Sequence, residues 1–291
     1  MKSLLIHAII FFMSNAGADS YEIPSPLQNI GINLRLSFDA SSGLYVYMYK
    51  VSNPLQNGVE IDAIRIAVSR DPNLEAEVSS VGLNHCRHHS QPAQERNLAK
   101  TPMVRVGSST PEGWSCDYEP QGDFTFAGVS NKDGIKPGQS QEGFIIKSYA
   151  PPAIRDVKVA PTLDIDRLPD TYNSDPAKLV DLERNITWAG RTIGPKAPPK
   201  VFVALATIND LILLKNQSFS LGWIREKGVA NSLGVKLDEV KRKMTNGDNK
   251  TAKNILVAFQ NEVKAQSGKQ ITEEAYALLY FNAKYLIDHL K

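Results

Sequence analysis

Leu44-Tyr45-Val46-Tyr47-Met48-Tyr49 decides the reading of the first half of the chain. Its period is two, so an extended strand puts the three tyrosines on one face and Val46 and Met48 on the other. Upstream, Ile32, Leu34, Leu36 and Phe38 alternate with polar or neutral residues, and Ser41-Ser42-Gly43 supplies turn chemistry between the two runs. Downstream, Ile64, Ile66 and Val68 alternate with Arg65, Ala67 and Ser69. Further runs lie at Met103–Val106, Trp114–Tyr118, Phe124–Val129, Phe144–Tyr149 and Val157–Val159. Asn53-Pro54, Asn57-Gly58, Lys132-Asp133-Gly134 and Lys136-Pro137-Gly138 break them. About eight short strands separated by such turns predict an antiparallel β-sandwich over 19–160. Cys86 and Cys116 are too close in sequence for the usual inter-sheet bridge of an immunoglobulin domain, and Trp114 sits beside the second cysteine rather than between the two.

The pattern loosens over 161–200. Asp175-Pro176 offers an N-cap acceptor and a first-turn proline, which predicts a helix over Pro176–Arg184. Ile186–Ile193 reads as a returning strand, and Gly194-Pro195-Lys196-Ala197-Pro198-Pro199-Lys200 as a semi-rigid linker.

Over 201–291 the period becomes 3.6. Leu233, Leu237, Val240 and Met244 follow it, as do Ala252, Ile255, Leu256, Phe259 and Val263. Ala275, Leu278, Leu279, Asn282 and Leu286 form a third series, and a helix over Ile208–Lys215 precedes them. With Asn246-Gly247-Asp248 and Ser267-Gly268-Lys269 as breaks, these make a small antiparallel bundle. The fold class is therefore mainly β plus α, a sandwich followed by a small C-terminal helical bundle.

The beginning of the chain reads as a leader. Lys2 precedes an apolar run from Leu4 to Met13, and Ser14-Asn15-Ala16-Gly17-Ala18 ends it with small residues, so residues 1–18 are expected to be a signal peptide. That run covers only about half of a bilayer core. No transmembrane anchor is expected, and the protein is placed in the secreted or periplasmic compartment. An isolated cysteine pair there is expected to form the disulfide Cys86–Cys116, worth roughly 3–4 kcal/mol for a loop of about 30 residues. The net charge of +2 points to no nucleic acid partner.

In the helical region, Gly222-Trp223-Ile224, Asn231-Ser232-Leu233, Lys236-Leu237, Asn246-Gly247-Asp248, Ala252, Leu256, Ala258-Phe259, Asn261-Glu262-Val263, Gly268-Lys269, Ile271-Thr272 and Asn282-Ala283 form a familiar pattern. It resembles the FIMAH domain, found at the ends of larger secreted bacterial proteins, often hydrolases. The resemblance covers about residues 207–291 and implies an exported accessory module with no known catalytic residue set. Asn216-Gln217-Ser218-Phe219-Ser220 departs from it by interrupting the apolar run of the first helix. The upstream part resembles uncharacterised exported bacterial β-sandwich proteins, through Gly113-Trp114 and Ile135-Lys136-Pro137-Gly138-Gln139-Ser140 leading into Gly143-Phe144.

No nucleophile elbow, His-Glu-x-x-His, phosphate loop or dinucleotide fingerprint is present. Three features remain as candidate sites. His85, His88 and His89 flank Cys86 and could hold zinc or copper, although a polar loop tied by the disulfide accounts for them as well. Asp164, Asp166 and Asp170 form an oxygen-rich loop of the kind calcium uses, but Leu168 falls where a calcium loop needs an oxygen. Tyr45, Tyr47 and Tyr49 could present an aromatic face to sugar rings. The opposing reading buries them under residues 161–193, with Val46 and Met48 in the core. The basic group Lys241-Arg242-Lys243 reads as a solvated helix face. The expectation is an exported non-catalytic protein that binds or attaches at the cell envelope, to a polysaccharide or other envelope component. The rival is a small secreted hydrolase or metal-dependent enzyme with a spatially assembled site.

Overall fold

The computed structural model describes residues 21–68, 77–78, 105–118, 123–129, 133–196, 199 and 201–291. The strands are β1 (Gly31–Asp39), β2 (Leu44–Ser52), β3 (Ile61–Ala67), β4 (Glu77–Val78), β5 (Arg105–Ser109), β6 (Trp114–Tyr118), β7 (Asp123–Gly128), β8 (Ser140–Ser148), β9 (Pro152–Pro161) and β10 (Trp188–Pro195). They form two five-stranded sheets, in the orders β1-β2-β8-β5-β4 and β10-β9-β3-β7-β6. All pairs are antiparallel except β4 with β5. Phe126 of β7, itself against Phe124, meets Phe144 of β8 in the space between the sheets, with Trp114 set edge-on to Phe144 at 4.9 Å. The expected sandwich with a two-residue period is what these residues build.

β2 keeps the two-residue period, and the face that goes inward is the tyrosine one. Tyr45, Tyr47 and Tyr49 are 6, 0 and 2 % exposed, whereas Val46 and Met48 lie half-buried on the other face. Tyrosine can occupy a core when its hydroxyl finds a partner. The Tyr47 hydroxyl donates to the Ala150 carbonyl at 2.7 Å, and that of Tyr49 to the Ile193 carbonyl at 2.8 Å. Burial raises all three phenol pKa values, that of Tyr45 to about 12.

Between β9 and β10 lie a 3-10 turn (Ile165–Arg167), α1 (Asp170–Asn173) and α2 (Pro176–Ile186). The Asp175 carboxylate caps α2, accepting from the Ala177 and Lys178 amides, and Pro176 needs no partner for an amide it lacks. Leu168, Leu182 and Ile186 form a satellite cluster here with Tyr21 and Ile23. Gly194 and Pro195, expected in the linker, are the last residues of β10, paired with Ala153 and Pro152 and buried.

Four helices follow: α3 (Ala204–Ser220), α4 (Lys227–Thr245), α5 (Asn249–Gln266) and α6 (Glu273–His289). Each packs on the next, and α3 closes onto α6. The run 216–220 does not break α3. Ser218 is fully buried and its hydroxyl donates to the Leu214 carbonyl at 2.8 Å, while that of Ser220 donates to the Asn216 carbonyl at 3.2 Å. The hydroxyls thus satisfy themselves on the preceding turn, and the helix absorbs them. Asp248 caps α5 and Thr272 caps α6, with Glu273 and Glu274 at the positive end of that helix.

Helix α6 has two buried faces. Ala275, Leu279, Ala283 and Leu286 belong to the bundle core, whereas Ala277, Leu278 and Phe281 belong to the core of the sandwich. Phe281 stands edge-on to Tyr45 at 5.7 Å, and the Asn282 amide donates to the Pro152 carbonyl at 2.8 Å. α6 meets β1, β9 and β10, so it lies along the side of the sandwich where the edge strands β1 and β10 come together.

Candidate functional site

The seam between sandwich and bundle carries a group of half-buried aromatic rings. Tyr276 and Tyr280 are one helical turn apart on α6, and their rings lie 5.2 Å apart at an interplanar angle of 25°. Phe281 stands edge-on to both, at 6.2 Å and 5.3 Å, and holds them from the sandwich side. Trp223 packs against both cores. It is fixed by its backbone: its amide donates to the Ser218 carbonyl at 2.9 Å, and its carbonyl accepts the Thr272 amide at 2.9 Å. The bridge between Ile224 and Ile271 ties the same two turns together. The Tyr280 carbonyl accepts from the Gln260 side chain at 3.0 Å, which joins α5 to the back of the group. Partial burial raises the Tyr276 pKa, with the neighbouring Tyr280 and Glu273 adding to it. The two stacked rings, backed by Phe281, form a ledge at the seam. Such a surface can take the apolar face of a flat or ring-shaped ligand, with hydroxyls at its rim to donate or accept.

Of these three residues only Trp223 belongs to the sequence pattern quoted above, and there as part of the helical family pattern rather than as a site. An aromatic pair at i and i+4 was legible as Tyr276 and Tyr280, but the helical pattern drew attention to Ala275, Leu278 and Leu279 beside them.

The residues expected to carry chemistry fall elsewhere. Tyr45, Tyr47 and Tyr49 cannot act as an exposed face, because their rings fill the space between the sheets. His85, Cys86, His88 and His89 lie outside the described residues. Cys116 lies on β6, 1 % exposed and opposite Phe126 in the ladder. Asp164 precedes the 3-10 turn, Asp166 lies within it and Asp170 opens α1. Successive short elements spread these carboxylates along the chain. Among the described residues no three His, Cys, Asp or Glu side chains come together as metal donors. Asp164, Asp166 and Asp170, expected as calcium ligands, thus belong to no such group. Instead the Asp164 amide donates to the Tyr21 hydroxyl at 2.9 Å, and Arg167 lies 5.4 Å from the Tyr21 ring centroid. The basic group on α4 is partly neutralised: Arg242 pairs with Glu239, and Lys243 lies 3.4 Å from Asp248.

The residues that carry the family pattern build the bundle. Lys236 reaches Glu262 across α4 and α5 at 2.7 Å and the Ser232 hydroxyl at 3.1 Å. Gly247 and Gly268 take left-handed φ values of 75° and 72° at the two helix breaks, a region closed to most other residues. Asn282 bonds the Leu278 carbonyl in its own helix as well as Pro152. A β-sandwich joined to a four-helix bundle through a shared helix is the class of protein that this geometry defines. Residues 208–288, the bundle less its outermost turns, match the FIMAH domain. No curated protein matches the chain. Among solved structures it is similar to an uncharacterized protein from Nocardia farcinica, described as having an immunoglobulin-like fold. The identity is 12 %, the likeness covers 45 % of this chain and 77 % of that one, and the TM-score is 0.29. Among the described residues no helix is long and apolar enough to cross a membrane.

Proposed function

We propose that this is an exported, non-catalytic binding protein that attaches to a polysaccharide or another component of the cell envelope through the ledge of Tyr276 and Tyr280. The observation that carries this reading is the pair of half-buried tyrosine rings, 25° from parallel and held from behind by Phe281. The small-residue site ending at Ala18 supports export, and the FIMAH match at 208–288 agrees with an accessory role. In an oxidising compartment Cys116, buried on β6, pairs with Cys86. A glycan array and an envelope-fraction pull-down with residues 19–291 test the reading, alongside Tyr276→Ala and Tyr280→Ala. Retention by the parent chain and at least tenfold weaker retention by either variant is the expected result. Equal retention by all three rejects the ledge, and no retention on any glycan or envelope fraction rejects the binding function itself.

A further inference from the structure

We propose that α6 is a built-in guard of the β1 edge, and that its release lets β1 pair with β1 of a second copy of this chain. β1 is nine residues long and, among the described residues, ends its sheet, hydrogen-bonded to β2 on one side and to no strand on the other. An exposed edge of that length is a template for another strand, and natural proteins deter pairing with proline, lysine, bulges or a covering helix. β1 has neither proline nor lysine, and its ladder with β2 runs without a bulge. The deterrent present is the helix. Leu278 and Phe281 seat α6 in the sandwich core, and Lys284 lies 5.5 Å from the Phe38 ring centroid. The Glu274 carboxylate accepts the Leu34 amide in a long contact of 3.5 Å.

That contact fixes which backbone groups point away from β2. Amide direction alternates along an antiparallel strand, so the outward amides are those of Ile32, Leu34, Leu36 and Phe38. A two-fold axis at Ser37 would then place Leu36 of one copy opposite Phe38 of the other, with outward amides and carbonyls exchanged between them. The same register sets Arg35 opposite Asp39 twice, once on each side of the axis. Both side chains are exposed. Asp39 stays charged, because the Ser41 and Ser42 hydroxyls donate to its carboxylate and hold its pKa at about 2. In this register, which pairs residues 35–39 of the two copies, the edge is complementary in charge to its own copy, and an isologous contact needs that self-complementarity.

The test uses the full mature chain with the guard loosened by Phe281→Ser and Asn282→Ala. Sedimentation velocity over a range of concentrations should show a monomer for the parent and a monomer–dimer equilibrium for the loosened chain. Adding Arg35→Glu should weaken the dimer at least tenfold, and adding Asp39→Arg to that should restore it. A loosened chain that stays monomeric overturns the proposal, as does a dimer indifferent to Arg35→Glu or one that the reciprocal exchange fails to restore. If the loosened chain does not fold, the milder pair Glu274→Gln and Asn282→Ala is read by amide exchange. The outward β1 amides should then exchange at least tenfold faster while the α4 and α5 amides keep their rates. Unchanged β1 rates overturn the guard.

Discussion

Replacing Tyr47 discriminates sharply between a core and a surface role for the central strand. Its side chain is fully buried, and its hydroxyl is 2.7 Å from the carbonyl of Ala150, itself 1 % exposed in the turn between β8 and β9. Tyr47→Phe keeps the ring and removes the donor. The buried carbonyl loses its partner, at a cost of roughly 1–3 kcal/mol. Tyr47→Ala also removes the ring from a packed interior and adds the cavity, for roughly 3–5 kcal/mol in total. Urea unfolding followed by tryptophan fluorescence should therefore rank parent, Phe and Ala in that order, with the two steps separately visible. A solvent-exposed tyrosine would give changes within about 0.5 kcal/mol for both. A Tyr47→Ala loss below about 1 kcal/mol would refute the placement of this strand face between the sheets.

Three further outcomes follow from single residues. Burial raises the Asp62 pKa to about 6 from the ordinary 3.8. A carboxyl whose pKa is raised by folding stabilises while protonated, so its contribution is complete below about pH 4 and is lost as pH rises through about 6. Asp62→Asn should thus be more stable than the parent at pH 7.5, by up to about 3 kcal/mol, and equal to it near pH 3.5; urea midpoints at the two pH values check this. Asp248→Ala removes the acceptor for the Thr251 amide at the start of α5, and should cost about 1 kcal/mol in thermal unfolding. At Gly190 an added Cβ would lie 2.2 Å from Cη2 of Trp188, so Gly190→Ala should displace that indole and shift its fluorescence maximum. An unshifted maximum would contradict the ring lying over Gly190.

Local period made most of the elements legible, and partner choice made the rest illegible. Alternation in Ile32–Phe38 and Leu44–Tyr49 is a property of the chain itself, so β1 and β2 could be read directly from it. Which face of β2 goes inward depends on whether a tyrosine hydroxyl finds a buried acceptor. The acceptors, Ala150 and Ile193, are 103 and 144 residues away. Composition alone favoured Val46 and Met48 for the core, and that preference was overruled by two hydrogen bonds. Gly194-Pro195 shows the same limit. Gly-Pro followed by lysine and further prolines has the chemistry of a linker, yet its first two residues complete a strand because Ala153 and Pro152 stand opposite them. Asn216–Ser220 is the converse case: its polar side chains interrupt the apolar run without ending the helix, because the helix's own carbonyls receive two of the hydroxyls.

The ledge lay beyond sequence reasoning for a related reason. In α6 the series Ala275, Leu279, Ala283 and Leu286 satisfies a bundle by itself, and Leu278 reads as one more member of it. The structure divides the series. Leu278, Ala277 and Phe281 turn toward the sandwich, and this second buried stripe forces Tyr276 and Tyr280 onto the boundary between two cores. A helix with one hydrophobic stripe leaves its remaining faces to solvent, whereas one with two stripes has borders where large rings are half covered and held still. The stacked tyrosines and the Glu274 contact to Leu34 both follow from that arrangement. Loosening Phe281 should therefore alter the two together: the aromatic ledge loses its backing while the β1 edge loses its cover. Tyr276→Ala and Tyr280→Ala, by contrast, should weaken retention on an envelope ligand and leave the β1 amides protected, which separates binding at the seam from guarding of the edge.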